Sequence, residues 1–243
     1  MSGHSKWATT KHAKGLADAK RGAVFTKLGN NIAVAARQGG GDPDANFKLR
    51  LAIDRAKQAN MPKENIERAV KKGTGELGGA AIEEIVYEGF GPAGVAVVIE
   101  ALTDNNNRTV ANVRKILTKY GGSFGAANST LWMFERKGAV KIQNYKSKIE
   151  NYGDWELKMI DLGAEDIREI DGEIIIYARP EDLGKIKEAL EKDGLAIDGA
   201  EMELVAKNTV KVENPDARER LEKMFAELDE DMDVNDYYSN IEE

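Results

Sequence analysis

Residues 164–178 read AEDIREIDGEIIIYA, and this stretch decides how the chain folds. Ala164–Ile170 and Glu173–Ala178 are two runs of strand length with Asp171-Gly172 between them. An Asp-Gly pair suits the positive-φ positions of a tight turn, so the runs are expected to pair as an antiparallel hairpin. Upstream, Ala139–Ile142 reads as a strand and Tyr152–Leu162 as a helix. Downstream, Pro180–Lys192 reads as a helix and Ala196–Val205 as a strand. The resulting order, βαββαβ, is the ferredoxin-like motif.

Further out lies a second α+β pattern. Ile82–Tyr87 and Val95–Leu102 read as strands, the latter rich enough in Val and Ile to sit centrally. Thr103-Asp104-Asn105-Asn106 supplies cap residues for a helix over Thr109–Tyr120, with Val110, Val113, Ile116 and Leu117 inward. Gly121-Gly122 ends that helix, and Thr130–Glu135 is expected as another strand. Beyond the central motif, a helix over Pro215–Leu228 and a strand over Val234–Ser239 complete the ββαβ segment begun at Ile82. The ferredoxin-like segment is thus expected to be inserted into a discontinuous domain.

Before Ile82 the periodicity is helical. Phe25, Leu28, Ile32 and Ala35 form one stripe, which three glycines, Gly39-Gly40-Gly41, should terminate. Asp42-Pro43 is expected to cap a second helix that buries Leu49, Ala52, Ile53 and Ala56 and ends near Asn60. Pro62–Lys72 gives a third, with Ile66, Ala69 and Val70 inward. The glycine-rich segment Gly73–Gly79 reads as a hinge. The fold class expected is therefore α+β multidomain: a small helical bundle at 1–75, a discontinuous α+β domain at 80–136 plus 207–243, and the insertion at 137–206.

A hydrophobic share of 42% with 32% charged residues fits a soluble globular chain. No cysteine is present, which excludes disulfides and thiolate-ligated zinc and agrees with a reducing compartment. No secretory h-region or membrane-length apolar run is found, so a cytoplasmic protein with no membrane partner is expected. Both matches to G-x-G-x-x-G, at Gly73/Gly75/Gly78 and Gly89/Gly91/Gly94, lack the strand-then-helix context of a dinucleotide loop and read as turns. Asp229–Asp233 starts like a calcium loop, but Val234 and Asn240 stand where glycine and glutamate are required. No catalytic, metal or cofactor constellation is legible, and the chain reads as non-enzymatic.

Charge carries the functional signal. Residues 1–75 hold 15 Lys/Arg and 6 Asp/Glu, a net of +9; the remainder holds 20 and 36, a net of −16. Within the first 28 residues Lys6, Lys11, Lys14, Lys20, Arg21 and Lys27 face a single acid, Asp18, with His4, Trp7 and His12 interleaved. Lysine and arginine neutralise phosphates and release counterions. A tryptophan can stack on an unpaired base, and the imidazoles add donors, or charge at lower pH. These nine residues are the expected nucleic-acid contacts. The plainer reading makes Trp7 a lid on the bundle and the lysines solubilising surface, but that leaves their concentration unexplained. No base-reading code or helix-turn-helix is legible.

The same residues carry a family likeness. Gly3-His4-Ser5-Lys6-Trp7, Lys11-His12, Asp18–Gly22, Phe25–Leu28, Gly39–Asn46 and Asn60-Met61-Pro62 closely resemble the YebC/PmpR family. So do Tyr87-Glu88-Gly89, Pro92–Ala96, Thr103-Asp104-Asn105, Asn107-Arg108-Thr109 and Phe134–Gly138, while between Lys141 and Val205 only the element order agrees. The resemblance implies three domains with the third inserted in the second, and a non-enzymatic role in gene expression. Bacterial members are DNA-binding transcriptional regulators; a mitochondrial relative is a translational activator, and some bacterial members resemble ribosome-associated factors. The expectation is a transcriptional regulator binding DNA, with ribosomal RNA as the alternative polyanion and a protein partner on the acidic domains.

Overall fold

The computed structural model describes residues 18–143, 145, 148–170 and 172–242, the side chains of 18–21 excepted. In chain order the elements are α1 (Asp18–Gly39), α2 (Phe47–Gln58), α3 (Lys63–Gly73), β1 (Glu83–Phe90), β2 (Ala96–Thr103), α4 (Asn106–Lys119), β3 (Ser123–Phe124), β4 (Phe134–Ile142), α5 (Tyr152–Asp161), β5 (Ala164–Ile170), β6 (Glu173–Ala178), α6 (Leu183–Lys192), β7 (Ile197–Ala206), α7 (Pro215–Glu230) and β8 (Val234–Ser239). Short 3-10 turns occupy Pro92–Gly94 and Leu131–Met133. Glu135–Val205 forms one compact unit; the chain up to Phe134 and from Ala206 onward forms the other.

In the first unit α2 and α3 both pack on α1. Leu28, Ile32, Ala35 and Ala36 of α1 meet Leu49, Ala56, Met61, Ile66 and Ala69 in one core, in which alanines alternate with larger aliphatic side chains. The start of α2 departs from expectation. Asp42 does not cap it; its carboxylate accepts from the Asp44 N–H at 2.9 Å and opens a turn. Asn46 is the cap: its Oδ1 accepts from the Leu49 N–H at 3.1 Å, while its Nδ2 donates to the carbonyls of Ala35 and Gly40, both at 2.8 Å. An amide carries both a donor and an acceptor, so Asn46 serves the start of α2 and the end of α1 together, which a carboxylate cannot do. Nor does Gly73 belong to a linker. It closes α3, and a Cβ there would run into the Ala33 carbonyl and lie 2.8 Å from the Ala36 Cβ, so its bareness sets how closely α3 approaches α1.

The first unit also holds a sheet in the order β3-β1-β2-β8. β2 runs antiparallel to both β1 and β8, with Tyr87 opposite Ile99 and Ile99 opposite Tyr237. Tyr87, Val97, Ile99, Val113, Leu117, Leu221, Met224 and Tyr237 join in one core, with α4 and α7 covering one face of the sheet. β2 is central, as its Val/Ile content suggested, and Val97, Val98 and Ile99 are fully buried.

The expected strands at Thr130–Glu135 and Ala139–Ile142 are instead one strand, β4, preceded by a 3-10 turn. The turn that delays the start of β4 is held by a buried carboxylate. Glu88 accepts from the N–H groups of Asn128 at 2.6 Å, Thr130 at 2.7 Å and Leu131 at 2.6 Å. An extended strand points successive N–H groups to opposite sides, so the consecutive donors of Thr130 and Leu131 reach one carboxylate only if the chain curls. Burial opposes ionisation of Glu88, but these three N–H donors and the Thr130 hydroxyl outweigh it and hold the carboxyl below its ordinary range.

The second unit follows the order βαββαβ and forms a sheet in the order β5-β6-β4-β7. β6 is buried along its whole length between β5 and β4, with Ile176 opposite Ile167 on one side and Val140 on the other. Met159 of α5 and Leu183, Ile186 and Leu190 of α6 are fully buried. On the other side of the sheet Ala139, Ile175 and Tyr177 form a smaller cluster.

Candidate nucleic-acid interface

Of the nine expected contact residues, His4, Lys6, Trp7, Lys11, His12 and Lys14 lie outside the described residues. Lys20 and Arg21 lie on the first turn of α1, and their side chains also fall outside the description. Lys27, two turns on, is described, and it is engaged. Its Nζ donates to the carbonyl oxygen of Asp229 at 2.7 Å, in the last turn of α7. Carbonyls in the last turn of a helix lack an intrahelical partner and carry the negative end of its dipole, so an ammonium group suits that position.

Lys27 is one of several side chains that dock α1 on the sheet-bearing part of the same unit. One turn later the Asn31 amide donates to Asn235 Oδ1 at 2.5 Å. Ala33 and Val34 pack with Ile82 and Leu102 in a small apolar cluster. Arg37 donates to the Ile82 carbonyl at 3.3 Å, and Glu84 accepts from Gln38 at 3.1 Å and from Lys48 at 3.3 Å. One long face of α1 is therefore spoken for along successive turns. The glycine-rich segment alone suggests a hinge between the helical bundle and the β-domain; these bonds fix α1 independently of that segment.

Charges outside the nine expected residues lie on α3. Ile66 and Ala69 turn inward, which leaves Lys63, Arg68, Lys71 and Lys72 exposed on the outer arc with Glu64 and Glu67. Lys63 pairs with Glu67 at 3.5 Å across one turn. Lys71 and Lys72 lie in the last turn, where cations also relieve the helix dipole. The Arg68…Lys71-Lys72 run is visible in the sequence, but nothing beside it there distinguishes it from an ordinary solvated face.

Two acids of the other motif regions are engaged by one arginine. Arg108 reaches Asp233 with two bonds, Nε at 2.9 Å and Nη2 at 2.8 Å, and also meets Asp104 at 3.0 Å. Burial raises the Asp233 carboxyl, but hydrogen bonds from Arg108 and Thr109 and the guanidinium charge draw it below the ordinary range. Asp233 is thus held in an ion pair, and among the described residues no group of acids or histidines is arranged to hold a metal. Among those residues no helix is long and apolar enough to cross a membrane.

Two family models cover nearly all of this architecture. Residues 5–76 match the TACO1/YebC N-terminal domain, and residues 82–241 match the TACO1/YebC second and third domain. The chain belongs to the TACO1/YebC family. Its curated relatives include a "probable transcriptional regulatory protein" of Caldanaerobacter subterraneus subsp. tengcongensis, 48% identical over 100% of this chain and 98% of the relative. Another of that description, from Thermoanaerobacter pseudethanolicus, is 49% identical over 100% of this chain and 97% of the relative. Among solved structures, a conserved hypothetical protein of Aquifex aeolicus superposes with a TM-score of 0.87 at 44% identity, covering 97% of this chain and 96% of that one. This TACO1/YebC chain shares that mixed fold, with seven α-helices and two antiparallel sheets among its described residues.

Proposed function

We propose that this TACO1/YebC protein is a non-enzymatic regulator of gene expression that binds DNA through the phosphates met by its helical domain. The observation that carries the reading is the charge split, +9 over residues 1–75 against −16 over the rest. A chain that is acidic overall gains no general solubility from concentrating cations in one small domain, whereas phosphate binding needs that concentration. His4, Lys6, Trp7, Lys11, His12, Lys14, Lys20 and Arg21 supply the contact surface in this reading. Lys27, already bonded to Asp229, holds α1 in register for them.

Two further features favour duplex DNA. α2 and α3 are joined by the four residues Ala59–Pro62, the connection length of a helix-turn-helix, and α3 presents Lys63, Arg68, Lys71 and Lys72 outward. The relatives named probable transcriptional regulatory proteins agree in role.

A second reading, a translation factor on ribosomal RNA, is favoured by Trp7, since an aromatic ring among cations is how unpaired bases are held. Crosslinking in cells, followed by sequencing of DNA and RNA recovered from one sample, separates the two. Enrichment of promoter DNA supports the first. Enrichment of ribosomal RNA alone replaces it with the second, and recovery of neither removes both.

A further inference from the structure

The sheet of the first unit has a face that α4 and α7 do not cover. Tyr87, Ile99 and Tyr237 pack toward those helices, so their alternate neighbours lie on the opposite face. Three cross-strand rows follow one another there. Glu84 and Leu102 form the first, and α1 lies on it: Ala33 and Val34 pack with Leu102, and Gln38 donates to Glu84. Glu88, Val98 and Tyr238 form the third, and the turn at 128–131 closes on it by bonding Glu88. Between these two runs the row Val86, Glu100 and Asp236, with Glu100 directly opposite both of the others. It is the floor of a trough between α1 and the turn, and at its β1 end Val86 stands 42% exposed.

Two of the three floor residues are acids on adjacent strands. Like charges directly opposite one another destabilise a sheet, and a cation laid over the pair offsets that cost. The course of α1 shows which cations are at hand. Lys27 meets the end of α7, Asn31 meets Asn235 beside Asp236, Ala33 and Val34 meet Leu102 on β2, and Gln38 meets Glu84 on β1. α1 therefore crosses the sheet from β8 to β1, and the chain before it enters from the β8 side, the side of Asp236. From Asp18 to Asn31 the helix rises about 20 Å. Residues 1–17 reach roughly 55 Å when extended, enough to double back and cross from β8 to β1, about 10 Å. They include Lys6, Lys11, Lys14, His4 and His12 and no acid.

We propose that this trough is the resting seat of the chain's own basic segment, residues 1–17, and that nucleic acid must displace the segment in order to bind it. Glu100 and Asp236 take the place of phosphates, so the acidic part of the chain restrains the basic part. A loosely attracted polyanion does not overcome the seat, whereas a duplex that meets several cations at once does. The displacement rests on the phosphate-binding reading above; the seat does not.

The test uses the full-length chain, which has no cysteine of its own, with a benzophenone photo-crosslinker on Val86→Cys. Mixing isotopically light and heavy chains before irradiation separates captures within one chain from captures between two. Peptide mapping finds the crosslink in residues 2–17 of the same chain, and E100Q/D236N lowers its yield about fivefold or more. Urea unfolding checks that this variant is folded, and K6Q/K11Q/K14Q, which leaves the trough untouched, lowers the yield in the same way. A DNA duplex lowers the wild-type yield, and without the crosslinker E100Q/D236N binds that duplex about threefold or more tightly than wild type. No crosslink to residues 2–17, or a yield that neither variant lowers, overturns the seat. Crosslinks found only between light and heavy chains overturn it in favour of self-association. Duplex bound at full crosslink yield, or bound no more tightly by E100Q/D236N, overturns the displacement. A chain that gives the crosslink but binds no duplex supports the seat and contradicts the phosphate-binding reading.

Discussion

The ammonium of Lys27 donates to the carbonyl oxygen of Asp229 at 2.7 Å, joining α1 to α7 across 202 residues of sequence. The bond gives the basic segment a fixed base: one charge is spent on docking so that its neighbours on α1 are held at a set angle to the sheet. Lys27→Ala removes a charge-assisted bond to a helix C-terminus and costs roughly 0.5–1.5 kcal/mol in urea unfolding. Lys27→Glu costs more, because it sets a carboxylate against the negative end of α7 and its acidic last turn. A Lys27→Ala chain as stable as wild type would show that the bond contributes nothing to docking.

Glu88 fixes the turn before β4 by collecting three backbone donors. Glu88→Gln keeps the size but offers one acceptor atom and turns an NH2 group toward N–H donors, so a loss of roughly 2–3 kcal/mol is expected. The pH dependence has a definite sign. The folded carboxyl titrates below its unfolded value of about 4.3, so its contribution is fully present above that pH and is lost as pH falls through the lower folded value. Urea midpoints of wild type and Glu88→Gln should differ at pH 7 and converge below pH 4.

Gly73 sets the closeness of α3 and α1. Gly73→Ala improves helix propensity in isolation but places a methyl group against the Ala33 carbonyl and the Ala36 side chain. Overpacking of this kind costs about 1–3 kcal/mol. Destabilisation measured by urea unfolding is the expected outcome; a stabilised Gly73→Ala chain would mean that the segment is a flexible linker after all.

Much of the architecture is legible because local chemistry fixes it. The strands at Ala164–Ile170, Glu173–Ala178 and Val234–Ser239 occur at the residues expected, since alternation and turn residues bound them on both sides. The departures share a different cause. Asn46 displaces Asp42 as the cap of α2 because it also bonds Ala35 and Gly40, and Thr130 leaves the extended conformation because Glu88, more than forty residues earlier, draws its N–H inward. Neither partner is visible in a local window. The candidate site divides the same way. A run of cations announces itself in sequence, but nothing near Lys27 reveals that its partner is Asp229.

Arg68, Lys71 and Lys72 test whether α3 takes part in phosphate binding. Replacing all three by Gln removes exposed charge without touching the Ile66/Ala69 face, so the fold is retained. Each phosphate that the variant leaves unneutralised lowers the slope of log K against log salt by about 0.9 on duplex DNA. A drop of about 2 or more in slope places α3 in the interface; no change confines the interface to α1 and the residues before it.

The most direct test of the central claim is the affinity of the full-length chain for duplex DNA between 50 and 200 mM salt, compared with a variant carrying Lys6, Lys11, Lys14, Lys20 and Arg21 all changed to Glu. If these five residues neutralise phosphates, the wild type shows a slope of about −4.5 or steeper and the variant loses both affinity and slope. Binding of equal strength and equal salt dependence in the two proteins would contradict the assignment of the basic segment as the nucleic-acid surface.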